Sequence, residues 1–124
     1  MIIGVGTDLV EIGRIERALA RHGSRLIDRI LGPEERGRLP ETHRAAWLAK
    51  RFATKEAVAK ALGTGFRDGL RLADIQTRHD EQGRPEVMLA GRARDALERL
   101  GAAQVSLSVS DERAYALAFV VISR

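Results

Sequence analysis

Two stretches of the chain gather side chains that can do chemistry. In GVGTDLVEIGRIE, residues 4–16, a β-branched run ends in two glycines and delivers Asp8 to the point where a helix should start. Asp8 then has two readings. Either it caps that helix, with Glu11 three residues on completing a capping box, or it is a metal-ligating carboxylate held stiffly at a strand end. In RFATKEAVAKALGTG, residues 51–65, Glu56 and Lys60 are four apart and so project from one face of a helix. As a surface ion pair they contribute ~0.3–0.5 kcal/mol. Gly63 and Gly65 read as a C-cap and turn; they lack Walker spacing and follow a helix instead of opening one, so they are not a phosphate loop. One Asp, one Glu and neighbouring lysines are compatible with magnesium. That ion takes one or two protein carboxylates and fills its remaining positions with substrate phosphates and water.

The elements that must position these residues follow from periodicity. Residues 1–5 read as a strand, and residues 11–22 as a helix with Ile12, Ile15, Ala18 and Leu19 inward, stopped by Gly23. A short helix is expected over 24–31, with Ser24 as its N-cap. Pro33 opens a further turn, and Thr42 is placed to cap a long helix running to Leu62. Leu48, Phe52, Ala59 and Leu62 line one flank of that helix, and Ala49, Ala53 and Ala57 suit close packing against a neighbour. Residues 74–80 and 85–89 flank a hairpin signal at 81–84, and 92–100 is helical, closing on Gly101. Residues 104–110 alternate Val, Leu and Val with serines, giving a strand with one buried face. Residues 116–122 are apolar on both faces, as a central strand should be. The expected fold is a single α+β domain over 1–124, its helices packed on a mostly antiparallel sheet.

Composition narrows the chemistry. With no cysteine among 124 residues, thiolate nucleophiles, disulfides and cysteine-held metals are excluded, and His22, His43 and His79 are too scattered for a metal pattern. No apolar run reaches transmembrane length and the start lacks signal-peptide features, so a cytoplasmic protein without a membrane partner is expected. Lys plus Arg outnumber Asp plus Glu by 21 to 17. An acidic partner is implied, and nucleotide, nucleic acid and acidic protein all qualify. A chain this short has little volume for a deep private pocket, which favours a site shared between subunits.

GVGTDLVEIGRIE, RFATKEAVAKALGTG and LSVSDERAYALAFVVI together resemble holo-acyl carrier protein synthase, the small bacterial type of phosphopantetheinyl transferase, over nearly the whole chain. The resemblance implies transfer of 4′-phosphopantetheine from coenzyme A to a serine of apo acyl carrier protein, releasing adenosine 3′,5′-bisphosphate in support of fatty acid biosynthesis. It implies Mg2+ on Asp8 and Glu56 and Lys60 near the coenzyme A phosphates, with the serine proton taken by Glu56 directly or by a metal-bound water beside it. Arg51, Lys55, Gly63 and Gly65 are further candidates for the coenzyme A site. Arg14 and Arg25 match carrier-protein contacts, and Arg17 and Arg21 extend that basic surface. A homotrimer with sites between subunits is also implied. Two positions depart from the family pattern: Asp111 stands where many members have histidine, and Val58 where an aromatic is common.

Two rivals belong to other classes. A basic α+β domain can bind nucleic acid, but the five aromatics, Trp47, Phe52, Phe66, Tyr115 and Phe119, form no stacking motif on a strand. A catalytically inactive trimeric interaction domain is the other, and the retention of Asp8, Glu56 and Lys60 argues against it.

Overall fold

The computed structural model describes residues 1–67, 69–102 and 104–124. In chain order the elements are β1 (Ile2–Glu11), α1 (Ile12–His22), α2 (Ser24–Ile30), α3 (Pro33–Arg36) and α4 (Arg44–Leu62). They continue with a 3-10 turn (Leu72–Asp74), β2 (Ile75–His79), β3 (Pro85–Leu89), α5 (Gly91–Arg99), β4 (Gln104–Asp111) and β5 (Tyr115–Ser123). The fold is α+β. An antiparallel sheet runs β1-β5-β4, and β2 and β3 form a separate antiparallel hairpin. The first strand pairs with the last, Ile2 opposite Ser123, and the Arg124 amide donates to the Met1 carbonyl at 3.0 Å.

Helix α4 lies across one face of the three-stranded sheet. Its Leu48, Ala49, Ala53, Ala57 and Val58 are fully buried, against Ala116, Ala118, Val120 and Ile122 of β5. The approach is close because β1 offers glycine there. A Cβ built on Gly4 would overlap the Ala61 carbonyl, and one on Gly6 the Ala57 carbonyl. Side chains alternate across a strand, so Asp8 and Val10 share this helix-facing side with Gly4 and Gly6. On the opposite face Val5, Leu9, Tyr115, Leu117 and Phe119 are exposed.

Several local expectations are corrected. β1 does not stop at Val5 but continues to Glu11, held in the sheet by β5, so Asp8 is a strand residue opposite Ala118. The capping box from Asp8 to Glu11 therefore does not form, and Glu11 itself occupies the N-cap position of α1 without a side-chain capping bond. Ser24 opens α2 without capping it, because Gly23, at φ +53°, makes the tight turn out of α1. Thr42 does not cap α4, whose N-cap position falls on His43 at φ +54°. β5 is central as expected, but only alternate residues are covered.

Candidate active site

The helix-facing side of β1 and the outer flank of α4 meet at Asp8. Lys60, one turn past Glu56, donates to Asp8 Oδ1 at 3.0 Å and to the Thr7 carbonyl at 2.9 Å. The expected pair of Lys60 with Glu56 is thus replaced by a contact across elements. Asp8 is well covered, at 17% side-chain exposure, while Lys60 is 54% exposed, so the ammonium can turn away when another cation or an anion arrives. The i, i+4 geometry of α4 carries Glu56 and Lys60 to the same side as Asp8, and Glu56 is half-buried.

Burial pushes the Glu56 carboxyl above its ordinary value of 4.5, and the Asp8 carboxylate adds to the rise; Lys60 and Arg14 oppose it. Two carboxylates that feel each other at a half-buried spot form a site for a cation. Lys60 already supplies positive charge to one of them. The donors are hard oxygens, and among the described residues no set of three or more His, Cys, Asp or Glu converges to hold a metal by protein ligands alone. That combination fits magnesium, which leaves most of its shell to phosphate and water.

Glu56 also lines a cleft of about 650 Å3 between α1, α2, α4 and the segment leading into β2. Leu26, Ile30, Phe52, Phe66 and Leu72 make its interior apolar, while Arg14, Arg29 and Arg71 stand on its walls. The Arg14 guanidinium lies 6.0 Å from the centre of the Phe52 ring. Arg14, Arg21 and Arg25 are exposed and make no salt bridge among the described residues, whereas Arg17 is held by Glu11 at 3.2 Å.

Other expected site residues fall elsewhere. Gly63 and Gly65 follow α4 at φ +80° and +57°, where other residues would be strained, although an added Cβ would meet no neighbour. Asp111 pairs with Lys50 at 3.4 Å. Val58 is fully buried, consistent with a packing difference.

Arg51 and Lys55 require correction as candidates for an anionic ligand. Both turn into the protein, 6% and 0% exposed, onto a buried carboxylate: Lys55 Nζ lies 2.6 Å from Glu35 Oε1, and Arg51 Nη1 3.3 Å from Glu35 Oε2. Desolvation lowers the pKa of both, and Glu35 opposes the drop. Glu35 was not singled out from the sequence. Its segment was read only as a helical turn opened by Pro33, and its partners lie 16 and 20 residues away.

A model of the 4′-phosphopantetheinyl transferase superfamily matches residues 4–120. The holo-[acyl-carrier-protein] synthase of Alkalilimnicola ehrlichii is 55% identical over 98% of this chain and 97% of its own. Among solved structures, that of the holo-[acyl-carrier-protein] synthase of Neisseria meningitidis has a TM-score of 0.91 at 45% identity, with both chains covered completely. A Bacillus anthracis holo-(acyl-carrier-protein) synthase in complex with CoA (3′,5′-ADP) has a TM-score of 0.81 at 34% identity, over 100% of this chain and 99% of that one.

Proposed function

The chain belongs to the 4′-phosphopantetheinyl transferase superfamily, and from that premise we propose how it transfers the 4′-phosphopantetheine of coenzyme A to an acyl carrier protein serine. The observation that carries this reading is the convergence of Asp8, Glu56 and Lys60 from β1 and α4. The whole chain serves as one domain, since the site draws on both its first strand and its central helix.

The serine oxygen attacks the phosphorus on the pantetheine side of the diphosphate. A bond forms from Oγ to phosphorus, the bond from that phosphorus to the bridging oxygen breaks, and adenosine 3′,5′-bisphosphate leaves. Glu56 takes the serine proton, directly or through a water. Burial and the Asp8 carboxylate raise its proton affinity above that of a free carboxylate, which is the direction a general base requires. Lys60 leaves Asp8 for the diphosphate and stabilises charge growing on the leaving side. Asp8 and Glu56 would hold magnesium, which when bound would neutralise diphosphate charge. Gly63 and Gly65, where a Cβ would meet no neighbour, are the proposed backbone approach for the nucleotide.

The exposed arginines of α1 and α2, Arg14, Arg17, Arg21 and Arg25, receive the acidic carrier and orient it over the cleft. The exposed apolar face of the sheet supports a homotrimer in which coenzyme A lies between subunits. Fatty acid synthesis in the cytoplasm is the setting in which such a carrier is primed.

The test is mass spectrometry of an apo acyl carrier protein incubated with the protein, coenzyme A and magnesium. The carrier should gain one phosphopantetheine, and chelation or Asp8→Ala should abolish the gain. Folded protein that modifies none of several carriers would return the choice to an inactive interaction domain.

A further inference from the structure

We propose that Glu35 is a positioning residue: acting through Lys55 and Arg51, it locks the Glu56 face of α4 against the opposite wall of the cleft. The inference rests on the transferase reading for its catalytic consequence, but the tie itself is a property of the fold.

The cluster joins three separate segments. Glu35 Oε1 accepts from Lys55 Nζ at 2.6 Å and from the Gly32 amide at 3.1 Å. Glu35 Oε2 accepts from Arg51 at 3.3 Å and from the Thr77 amide at 3.1 Å. Lys55 also donates to the carbonyls of Leu72, at 3.0 Å, and Ile75, and Arg51 to that of Thr77 at 2.5 Å. Gly32 follows α2, whose Asp28, Arg29 and Ile30 line the cleft, and Leu72 lines it from the other side. The cluster therefore sits behind the cleft and ties α2, α4 and the segment 72–77 to one carboxylate.

An apolar contact would hold these segments with less desolvation cost, but it would not fix their rotation. Directional bonds do. Successive residues of a helix are about 100° apart, so fixing the direction of Lys55 also fixes that of Glu56, its neighbour in the chain. Lys55 reaches the Leu72 carbonyl while Glu56 faces the cleft that Leu72 lines, so one side chain sets the spacing of both walls. Trp47, the only tryptophan, stacks 4.3 Å from the Arg51 guanidinium and so reports on the cluster.

The experiment compares wild type, Glu35→Gln and Lys55→Met. Three readouts are taken: hydrogen exchange by segment, Trp47 emission, and transfer kinetics per folded molecule. Exchange should accelerate about tenfold or more over 26–32 and 70–77 while the three-stranded sheet stays protected, and Trp47 emission should shift. At saturating substrates kcat should fall about tenfold in Glu35→Gln and about a hundredfold in Lys55→Met, with KM for coenzyme A changing less. Wild-type kcat per folded molecule in either variant overturns the proposal, as does exchange that rises evenly along the chain. Arg51→Lys, which keeps the charge and loses the fork, decides the matter by the same readouts should neither variant fold. A wild-type protein that transfers nothing defeats the transferase reading, and exchange in the variants still decides whether Glu35 ties the cleft walls.

Discussion

A carboxyl group held above its ordinary pKa makes the folded state less stable once it ionises. Glu56 is such a group, raised from 4.5 by burial and by Asp8. Between 4.5 and the raised value the native protein binds this proton more tightly than the unfolded chain does. Stability therefore falls as pH climbs through that window, and stays lower above it. In metal-free buffer at about pH 7.5, Glu56→Gln should melt about 2 °C above wild type, a small effect because the carboxyl is partly solvated. The difference should vanish near pH 4, where both side chains are neutral, and transfer should be lost at every pH. A thermal melt series across pH checks this; a gain that persists at low pH would point to packing instead. Arg14 stands on the wall of the cleft, where the proposed function has it receive the carrier. Arg14→Ala should raise KM for the carrier about tenfold and leave that for coenzyme A alone, as steady-state kinetics with each substrate varied will reveal.

At the scale of elements, β1 and α4 make the site only because two glycines allow them to touch. Gly6→Ala would drive a methyl into the Ala57 carbonyl, costing about 3 kcal/mol in urea unfolding and moving Asp8 off Glu56. Gly63→Ala meets no neighbour and should cost only the strain of its positive φ, about 1 kcal/mol. The same glycines explain what sequence reading could and could not recover. Helices α1, α2 and α4, the hairpin and the alternating strand β4 all declare themselves through local periodicity. β1 beyond Val5 does not, because Gly4 and Gly6 look like punctuation when read locally and become close-packing positions only once α4 is laid against them. Asp8, Glu56 and Lys60 were grouped through the family resemblance, and the fold sets Lys60 on Asp8 with Glu56 close enough to feel the same carboxylate. The partners of Arg51 and Lys55 were not legible, because Glu35 reaches them through tertiary contacts that leave no spacing pattern.

For the whole molecule, the uncovered sheet face is the feature that calls for other copies of the chain. Leu9 is 61% exposed, Leu117 and Phe119 each 43%, and cross-strand pairing sets Leu9 directly beside Leu117. Phe119→Asp should leave a folded monomer by light scattering and circular dichroism, with transfer activity lost along with the assembly. A variant whose mass by light scattering matches that of wild type would place the proposed interface elsewhere. Strands far apart in sequence are also neighbours: among the described residues β1, which carries Asp8, is hydrogen-bonded in the sheet only through β5. This pairing closes nearly the longest loop the chain allows, so the sheet has high contact order and its completion is entropically late. A variant cut before β5 should therefore leave Asp8 on a strand without its hydrogen-bonded neighbour, so the contact of Lys60 with Asp8 matures only once β5 is in place.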